Sequence, residues 1–310
     1  MDALSHLVTL LDPRGRMELR CLFGAAFAAP HEAIGPWRAP FHVVLRGECE
    51  LLLPESGRTV PLRPGSLLVL PRGSAHTLRA SGGTPPRIRT EPGALVDLKT
   101  NVRDPDDAKI EILCGEFEFR GRRRSALLDA LPECLVVEFA ERPEFGWLQG
   151  LLRMMAHEIA QQGAGAAAIV AELSGAVFTL AVRAHLETRA GDVSTTAGVL
   201  GVMANPRLAP ALAAMLESPG EPWTVESLAA RCHLSRAAFA RLFAQHAGTG
   251  PLELLTTLRM ELASRLLTLG EHDTATIGET VGYRSEAAFN RAFSRHAGTT
   301  PGRYRREARG

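Results

Sequence analysis

The sequence predicts an α+β protein that is β-rich in its N-terminal part and all-helical in its C-terminal part. Short β-rich stretches between proline and glycine turns, at 41–54 and 66–71, predict strands in the first part of the chain. From about residue 145, apolar residues recur at three- and four-residue steps, which is the helical period. A length of 310 residues favours two domains over one.

The composition, 45% hydrophobic and 22% charged, is that of a globular protein. No run approaches the ~18 unbroken apolar residues of a membrane span, and no signal peptide is evident, so we expect a cytoplasmic protein with no membrane partner. In that compartment the five cysteines rest as thiols, and none forms the CxxC pair of a zinc knuckle. Residues 204–310 hold 13 Arg against 10 Asp and Glu, an excess that permits nucleic-acid binding.

The order of patterns along the chain predicts the domain boundaries. IEILCGEFEF at 110–119 alternates apolar and polar residues, which indicates a strand, and the Gly- and Pro-rich residues 80–109 before it are typical of a long loop. The predicted parts are a β-rich domain at 1–144, a helical dimerisation and connecting segment at 145–190, a linker at 191–203 and an all-helical domain at 204–310.

A 17-residue segment occurs twice in the helical domain. SRAAFARLFAQHAGTGP at 235–251 and SEAAFNRAFSRHAGTTP at 285–301 are identical at 11 of 17 positions. Upstream of each copy lies a short helical pattern and a tight turn, with Ser235 or Ser285 placed to cap the next helix. Two short helices around an apolar corner predict a helix-turn-helix, whose second helix enters the DNA major groove.

The stretch between the copies, 251–269, predicts a stiff spacer. It begins with proline and ends before Gly270, the usual residues at the start and end of a helix. About 17 helical residues span ~26 Å, which places the two reading helices roughly one DNA turn apart. The alternative interpretation is an α-helical repeat that contacts other proteins and not DNA. The duplication favours DNA binding, with two units that read successive major grooves.

Residues 204–308 closely resemble the AraC/XylS family of bacterial transcription regulators. The resemblance lies in WTVESLAARCHLS, the segment GTGPLELLTTLRMELASRLL, IGETVGYRSEAAFNRAF and HAGTTPGRYRR. The sequence departs from the family at Thr274, where the family usually has an aliphatic residue, and at Gly278, where it usually has alanine. Both residues loosen the first helix of the second helix-turn-helix unit. The resemblance implies a sequence-specific regulator, with double-stranded promoter DNA and RNA polymerase as partners.

The family's base contacts come from the early outward positions of each second helix. Those positions here are Arg236, Ala237, Ala240 and Arg241 in the first unit, and Glu286, Ala287, Asn290 and Arg291 in the second. Arginine suits guanine, asparagine adenine, glutamate cytosine and alanine the thymine methyl group. An exposed arginine is otherwise a solvated or phosphate-facing charge, and we favour base readout for Arg241 and Arg291.

GSLLVLPRGSAH at 65–76 has the glycine, proline and histidine spacing of the second cupin motif. The first motif lacks its HxH pair, which makes a cupin enzyme with a DNA-binding tail a weaker hypothesis. His31, His42 and His76 together offer three imidazoles for one divalent metal ion, and isolated hydrogen-bonded histidines are the commoner alternative. We therefore predict no enzyme activity and no cofactor beyond that metal, and a small organic ligand in the barrel remains an alternative signal.

Over almost its full length, the chain also resembles AraC-type regulators that respond to reactive chlorine species. The matching stretches are MDALSHLV, PLRPGSLLVLPRGSAH, the CG at 114–115 and NPRLAPALAAMLESPGEPWTVESLA. Such regulators use two cysteines of the sensing domain as a redox switch, and the matching positions are Cys21 and Cys114. The resemblance implies an oxidant-sensing activator. Arg20 is placed to lower the pKa of the adjacent Cys21, and 145–190 is the natural surface for a homodimer.

Overall fold

The computed structural model describes residues 2–35, 37–80, 86–119, 125–129, 131–139, 142–188 and 198–309. The chain divides into two compact units that do not follow the order of the sequence. We call residues 13–118 and 133–185 the sheet unit, and residues 1–12, 119–132 and 186–310 the helical unit. The described strands all belong to the sheet unit, so the α+β class is confirmed.

Eleven strands form two sheets in the described part of the sheet unit. They are β1 Arg14–Phe23, β2 Phe27–His31, β3 Arg38–Arg46, β4 Cys49–Leu53, β5 Arg58–Leu62, β6 Ser66–Val69, β7 His76–Ala80, β8 Arg89–Glu91, β9 Asp97–Thr100, β10 Ile110–Glu118 and β11 Leu135–Glu138. The larger sheet has the order β11-β6-β3-β10-β1-β9-β8, and the smaller has the order β2-β7-β4-β5. Neighbouring strands are antiparallel except β1 and β9, which run parallel.

One apolar core joins the two sheets. Val44 and Ile112 come from the larger sheet, and Leu51 and Leu78 come from the smaller one. Cys21, Cys49, Cys114 and Cys134 lie in the same core. Burying these side chains away from water is the main favourable contribution to this unit's stability.

Two strand predictions need correction. The stretch 41–54 is not one strand: it turns at Gly47, whose φ is 77°, and its two halves belong to β3 and β4, which join different sheets. A Cβ at Gly47 would lie 2.4 Å from the Lys109 carbonyl oxygen, so only glycine fits. Residues 80–109 are also not a plain loop, because β8 and β9 lie within them and β9 pairs with β1.

The helical pattern after residue 145 corresponds to α3 Gly146–Gln161 and α4 Ala166–Thr188, after α1 Ala3–Leu11 and α2 Ala126–Asp129. Phe178 of α4 packs edge-on against Phe117 of β10, with 5.3 Å between ring centroids. Among the described helices, only α4 has the length and mean hydropathy (1.6) of a membrane span. Its apolar stretch is 39% buried within the protein.

Eight further helices follow. They are α5 Val199–Ala204, α6 Ala209–Glu217, α7 Val225–Arg231, α8 Arg236–Ala247, α9 Pro251–Leu269, α10 Thr274–Thr280, α11 Glu286–Ala297 and α12 Pro301–Arg309. Most of the predicted linker, residues 191–203, lies outside the described residues. Its last five residues are not a spacer, because they form most of α5, where Val199, Leu200 and Val202 are fully buried.

The helical unit also contains two segments from the N-terminal half of the chain. Helix α1 packs against α6 and α9 and buries Leu7 and Leu11. Helix α2, within residues 119–132, packs against α9 and buries Leu127 and Leu128. The chain therefore crosses between the two units four times, after residues 12, 118, 132 and 185.

Candidate nucleic-acid interface and thiol site

The first helix-turn-helix consists of α7 and α8. Thr224 caps α7 in a capping box, in which its hydroxyl accepts from the Ser227 amide and the Ser227 hydroxyl accepts from the Thr224 amide. Ser235 caps α8 by accepting from the Ala238 amide at 3.3 Å. Phe239 and Phe243 are fully buried, and Leu242 is half-buried. The caps and the paired rings fix the angle between the two helices.

The second helix-turn-helix consists of α10 and α11 and repeats these parts, except that a carboxylate replaces the hydroxyl as the cap of its first helix. Asp273, which the sequence analysis did not single out, caps α10 by accepting from the Thr276 amide at 2.7 Å. Ser285 caps α11 through the Ala288 amide, and Phe289 and Phe293 are fully buried. The predicted second unit is therefore present.

The turns of the two units use different residues in the same left-handed conformation. His233 has a φ of 53° in the first turn, and Gly282 has a φ of 87° in the second. A Cβ at Gly282 would lie 2.5 Å from the Gly220 carbonyl oxygen, so no other residue fits there without movement.

Helix α9 is the predicted spacer between the units. Its 19 residues correspond to about 28 Å of helix. Arg259 in its middle donates to the carbonyl oxygens of Pro219 and Glu221, both at 2.7 Å. Gly282 lies close to the same guanidinium. Arg259 thus ties the segment before α7 to the turn of the second unit, a role that sequence reasoning missed.

The predicted base-contacting residues lie on the outward faces of α8 and α11. Arg236, Ala237, Arg241, Glu286, Ala287 and Arg291 are exposed, and Ala240 and Asn290 are half-buried beside them. Arg236 also forms an ion pair with Glu226 of α7, with 2.8 Å between Nε and Oε1. Arg241 and Arg291 are both exposed and have no ion-pair partner among the described residues.

Cys21 and Cys114 lie side by side in the core of the sheet unit. Their Sγ atoms are 3.6 Å apart, on the adjacent strands β1 and β10, and their side chains are 2% and 4% exposed. The two thiols are therefore already in contact in the reduced protein.

The electrostatics of the thiol pair differ from expectation. The contact with Cys21 and burial raise the pKa of Cys114 well above its usual value, and the nearby ammonium of Lys99 opposes this. The Arg20 guanidinium does not lie beside the Cys21 thiol, because it pairs with Glu111 at 2.8 Å on the opposite face of β1. Lys99 on β9, opposite Cys21 in register, is thus the local cation, and it was missed because β9 was read as loop.

The remaining cysteines are buried thiols. Burial raises the pKa of Cys49 to about 12, so this thiol stays protonated. Cys134 lies in the core of the sheet unit, and Cys232 lies in the helical unit with its Sγ 3.9 Å from the Leu208 carbonyl oxygen.

His31, His42 and His76, which lie far apart in sequence, come together between the two sheets. One nitrogen of each lies within 4.8 Å of the others. The Nε2 atoms of His42 and His76 are 2.8 Å apart, and the His31 ring stacks on the His76 ring at 4.6 Å. Burial lowers the pKa of His31 to about 3, and it also lowers those of His42 and His76, so all three imidazoles are neutral at pH 7. Cys114 is the register partner of His42, which places the cluster beside the thiol pair.

The chain matches the family described as Cupin over residues 2–187 and the family described as Helix-turn-helix domain over residues 228–307. It is 34% identical over 310 residues to the "RCS-specific HTH-type transcriptional activator RclR" of Escherichia coli K12, covering 100% of this chain and 99% of that protein. It is 32% identical to a "Putative AraC-like transcription regulator" of Streptomyces lividans, covering 99% of this chain and 98% of that one.

Among solved structures, the chain is similar to the DNA-binding domain of AdpA in complex with a target DNA. That likeness has 36% identity and a TM-score of 0.33, and it covers 34% of this chain and 95% of the AdpA domain. The cupin match over the sheet unit, the doubled helix-turn-helix and the full-length relatives lead to one conclusion: the chain belongs to the AraC/XylS family of DNA-binding transcription regulators, as a member with an N-terminal cupin domain.

Proposed function

We propose that this regulator is a cytoplasmic activator that senses an oxidant through a disulfide between Cys21 and Cys114. One observation carries the proposal: the two Sγ atoms are already 3.6 Å apart in the core of the sheet unit. A disulfide has an S–S distance of about 2.05 Å, so the sulfurs need to approach by only about 1.5 Å. The relative from Escherichia coli is named as an RCS-specific activator, which supports an oxidant as the signal.

The chemistry balances with hypochlorous acid as the oxidant. One thiol is oxidised to a sulfenic acid, while the oxidant is reduced to chloride and a proton is released. The second thiol displaces the hydroxyl group, which leaves as water, and the S–S bond forms. Cellular dithiols then reduce the bond and reset the protein.

Chain connectivity supports a path from the thiols to DNA. Strand β1, which holds Cys21, directly follows residues 2–12 of the helical unit. Strand β10, which holds Cys114, leads directly into residues 119–132 of the same unit. Both segments pack against α9, the spacer between the DNA-reading helices. A disulfide that draws β1 and β10 together thus acts on residues 2–12 and 119–132, which pack against α9. It thereby shifts the balance between two conformations of the DNA-binding helices.

The DNA-reading part of the proposal rests on exposure. Arg241 and Arg291 project from α8 and α11, and we assign guanine readout to both. Ala237, Ala240, Glu286, Ala287 and Asn290 are the neighbouring base contacts, and Arg236, engaged by Glu226, is the weakest of the set. An activator with this surface also requires contact with RNA polymerase. The relatives are named as regulators, so we propose binding and not catalysis as the activity.

The surface of α3 and α4 supports a homodimer. Trp147, Met154 and Ile169 are 38%, 52% and 39% exposed, and three of the four exposed large apolar side chains of the described residues thus lie on this pair of helices. Sedimentation of the wild type and of Met154→Glu tests this: a dimer that the glutamate converts to monomer is expected, and an unchanged dimer places the interface elsewhere.

Oxidant sensing is tested on the full-length protein with DNA that it selects from a random-sequence library. Hypochlorite should remove two hydrogens from the wild type, detected by mass, join the Cys21 and Cys114 peptides and change DNA affinity. Cys21→Ser and Cys114→Ser should each abolish the change and leave DNA binding by the reduced protein intact. Cys49→Ser, at a thiol in the same core, is the matched control and should respond like the wild type. A response that survives in Cys21→Ser/Cys114→Ser rules out this switch.

A further inference from the structure

We propose that the helical unit binds one small organic carboxylate in a cavity beside Arg265. The cavity has a volume of about 180 Å³ and lies among α1, α9, α11 and α12, next to Phe119 and Ser125. All of its lining residues belong to the helical unit, so the site contains neither the thiol pair nor the three clustered histidines. The proposal therefore goes beyond oxidant sensing.

Arg265 supplies a cation without a partner. Its side chain is half-buried, and its Nε atom is fully buried with no hydrogen-bond partner. Glu261, one turn earlier on α9, has the spacing of an ordinary helical ion pair with Arg265. Its carboxylate instead lies against α11, with 3.7 Å between its Oε1 atom and the Nε2 atom of His296. Among the described residues, Arg265 therefore forms no ion pair.

A carboxylate is the group that best satisfies this guanidinium. A buried donor without a partner destabilises the protein, and a charged acceptor gives the strongest hydrogen bond to it. Because Arg265 lines the cavity, a ligand there reaches the edge of the guanidinium. After a small rotation of the side chain, a carboxylate accepts from Nε and from one terminal nitrogen at the same time.

The rest of the lining selects the class of anion. Four of the lining residues are apolar and suit a short hydrocarbon body. They are Leu10, Leu11, Phe119 and Ala297. The carboxylate of Glu261 also lines the cavity, so it repels any second negative charge on the ligand. Arg265 balances a single charge, which favours an organic monoanion over a phosphate dianion.

The volume sets the size of the ligand. A buried cavity of about 150 Å³ in another protein binds benzene, a molecule of about six heavy atoms. A cavity of about 180 Å³ therefore suits roughly six to eight heavy atoms. Branched monocarboxylates such as isobutyrate and isovalerate have this size.

The position of the cavity couples the ligand to folding of the helical unit. Leu11 of α1 and Ser125, just before α2, line the same cavity as Arg265 of α9 and His296 of α11. The ligand thus contacts segments from both halves of the chain and binds only when they are packed together. A ligand that binds only the folded protein stabilises it. We therefore expect the unfolding temperature to rise as the carboxylate is added.

The test uses the full-length reduced protein with sodium isovalerate as the probe. Isovaleramide, a neutral molecule of the same shape, is the matched control ligand. Isovalerate should raise the unfolding temperature and show saturable binding to one site by ligand-observed NMR. Isovaleramide should bind at least about 10-fold more weakly, because it lacks the charge. Absence of isovalerate binding at about 10 mM, a weak limit for a ligand of this size, overturns the proposal.

Substitutions test the role of Arg265. Arg265→Met keeps a long side chain, removes its charge and should weaken isovalerate binding at least about 10-fold. Arg303→Met, at an exposed arginine of α12 that does not line the cavity, is the matched control and should bind like the wild type. Equal affinity of the wild type and Arg265→Met for isovalerate overturns the proposal, and so does equal affinity of the wild type for isovalerate and isovaleramide.

Three further variants separate binding from folding and from the thiols. Ser264→Leu fills the cavity, leaves Arg265 in place and should also abolish isovalerate binding. Glu261→Gln removes the repelling charge and should tighten isovalerate binding several-fold, which a loss of folding cannot do. Cys21→Ser/Cys114→Ser should bind isovalerate like the wild type, whatever happens to its oxidant response. Unchanged isovalerate binding in Ser264→Leu places the ligand outside this cavity and overturns the proposal.

Discussion

The two helix-turn-helix units share their buried residues and differ on the faces that point outward. Phe239 and Phe243 in the first unit correspond to Phe289 and Phe293 in the second, and all four are fully buried. The outward positions of α8 carry two arginines and two alanines, and those of α11 carry glutamate, alanine, asparagine and arginine. The same scaffold thus occurs twice, with different residues at the predicted base-contacting positions. The two halves of the operator are therefore expected to differ in sequence.

The largest expected effect comes from uncoupling the two units at their spacer. Thr256 lies on the exposed face of α9, so Thr256→Pro breaks the helix without removing core packing. It should cost ~3 kcal/mol or more and abolish high-affinity binding to the full operator. Thr256→Ala is the control and should bind normally in electrophoretic shift assays. Full affinity in a folded Thr256→Pro protein would show that rigid spacing is unnecessary.

The two turns provide the next test, since they use opposite solutions to the same backbone conformation. Gly282→Ala forces a Cβ to within 2.5 Å of the Gly220 carbonyl oxygen at positive φ, and we expect a loss of about 2–3 kcal/mol in urea unfolding. His233→Gly relieves a left-handed histidine and should change stability by less than about 1 kcal/mol. Equal losses in both variants would contradict the difference between the turns.

The reading faces are compared through their arginines. Arg241→Ala and Arg291→Ala should each cost ~1–3 kcal/mol on the selected operator and much less on random DNA. Each should relax base preference in a different half of the site, because the arginines belong to different units. Arg236→Ala is the matched control, with a smaller effect, since Glu226 already neutralises that side chain. Losses that are equal on specific and random DNA would identify phosphate contacts instead.

The smallest expected effect is a difference in pH dependence between the cap of α7, Thr224, and the cap of α10, Asp273. Thr224→Ala should cost about 1 kcal/mol at any pH, because a hydroxyl cap does not titrate. Asp273 is a carboxylate cap, and its hydrogen bonds with Thr276 hold its pKa below the usual 3.8. A lowered carboxyl pKa stabilises the fold above the unfolded pKa and loses that contribution as pH falls through the folded value. Thermal unfolding of wild type and Asp273→Asn should therefore converge on acidification, and a constant difference would contradict the carboxylate cap.

The helices of the helical unit were predictable from sequence because their caps depend on residues close together in the chain. The caps Ser235 and Ser285 follow from spacing alone, and the structure confirms them. Gly278 is a departure that sequence explains poorly. A Cβ there would lie 3.1 Å from the Cβ of Phe289, so glycine permits close packing of α10 on α11. That reason is a tertiary contact, which helix propensity cannot reveal.

The cysteine pair and the histidine cluster were only partly predictable, because they depend on strand pairing. The residues Cys21, Cys114, His31, His42 and His76 were found through motif spacing and resemblance, and the structure brings the two cysteines together and the three histidines together. Lys99 was missed because β9 is short and polar and pairs with β1 far away in sequence. Register across strands sets which side chains meet, and a single sequence does not encode it locally.

Residues 2–12 and 119–132 pack with the helical unit although they precede or interrupt the cupin domain in sequence. A chimera built by joining one relative's residues 1–190 to another's DNA-binding domain would therefore pair α1 and α2 with a foreign α6 and α9. Their buried leucines, Leu7, Leu11, Leu127 and Leu128, would meet surfaces that never co-evolved with them. A chimera should therefore keep its stability only when residues 2–12 and 119–132 are exchanged together with the DNA-binding domain. These two segments are structurally part of that domain.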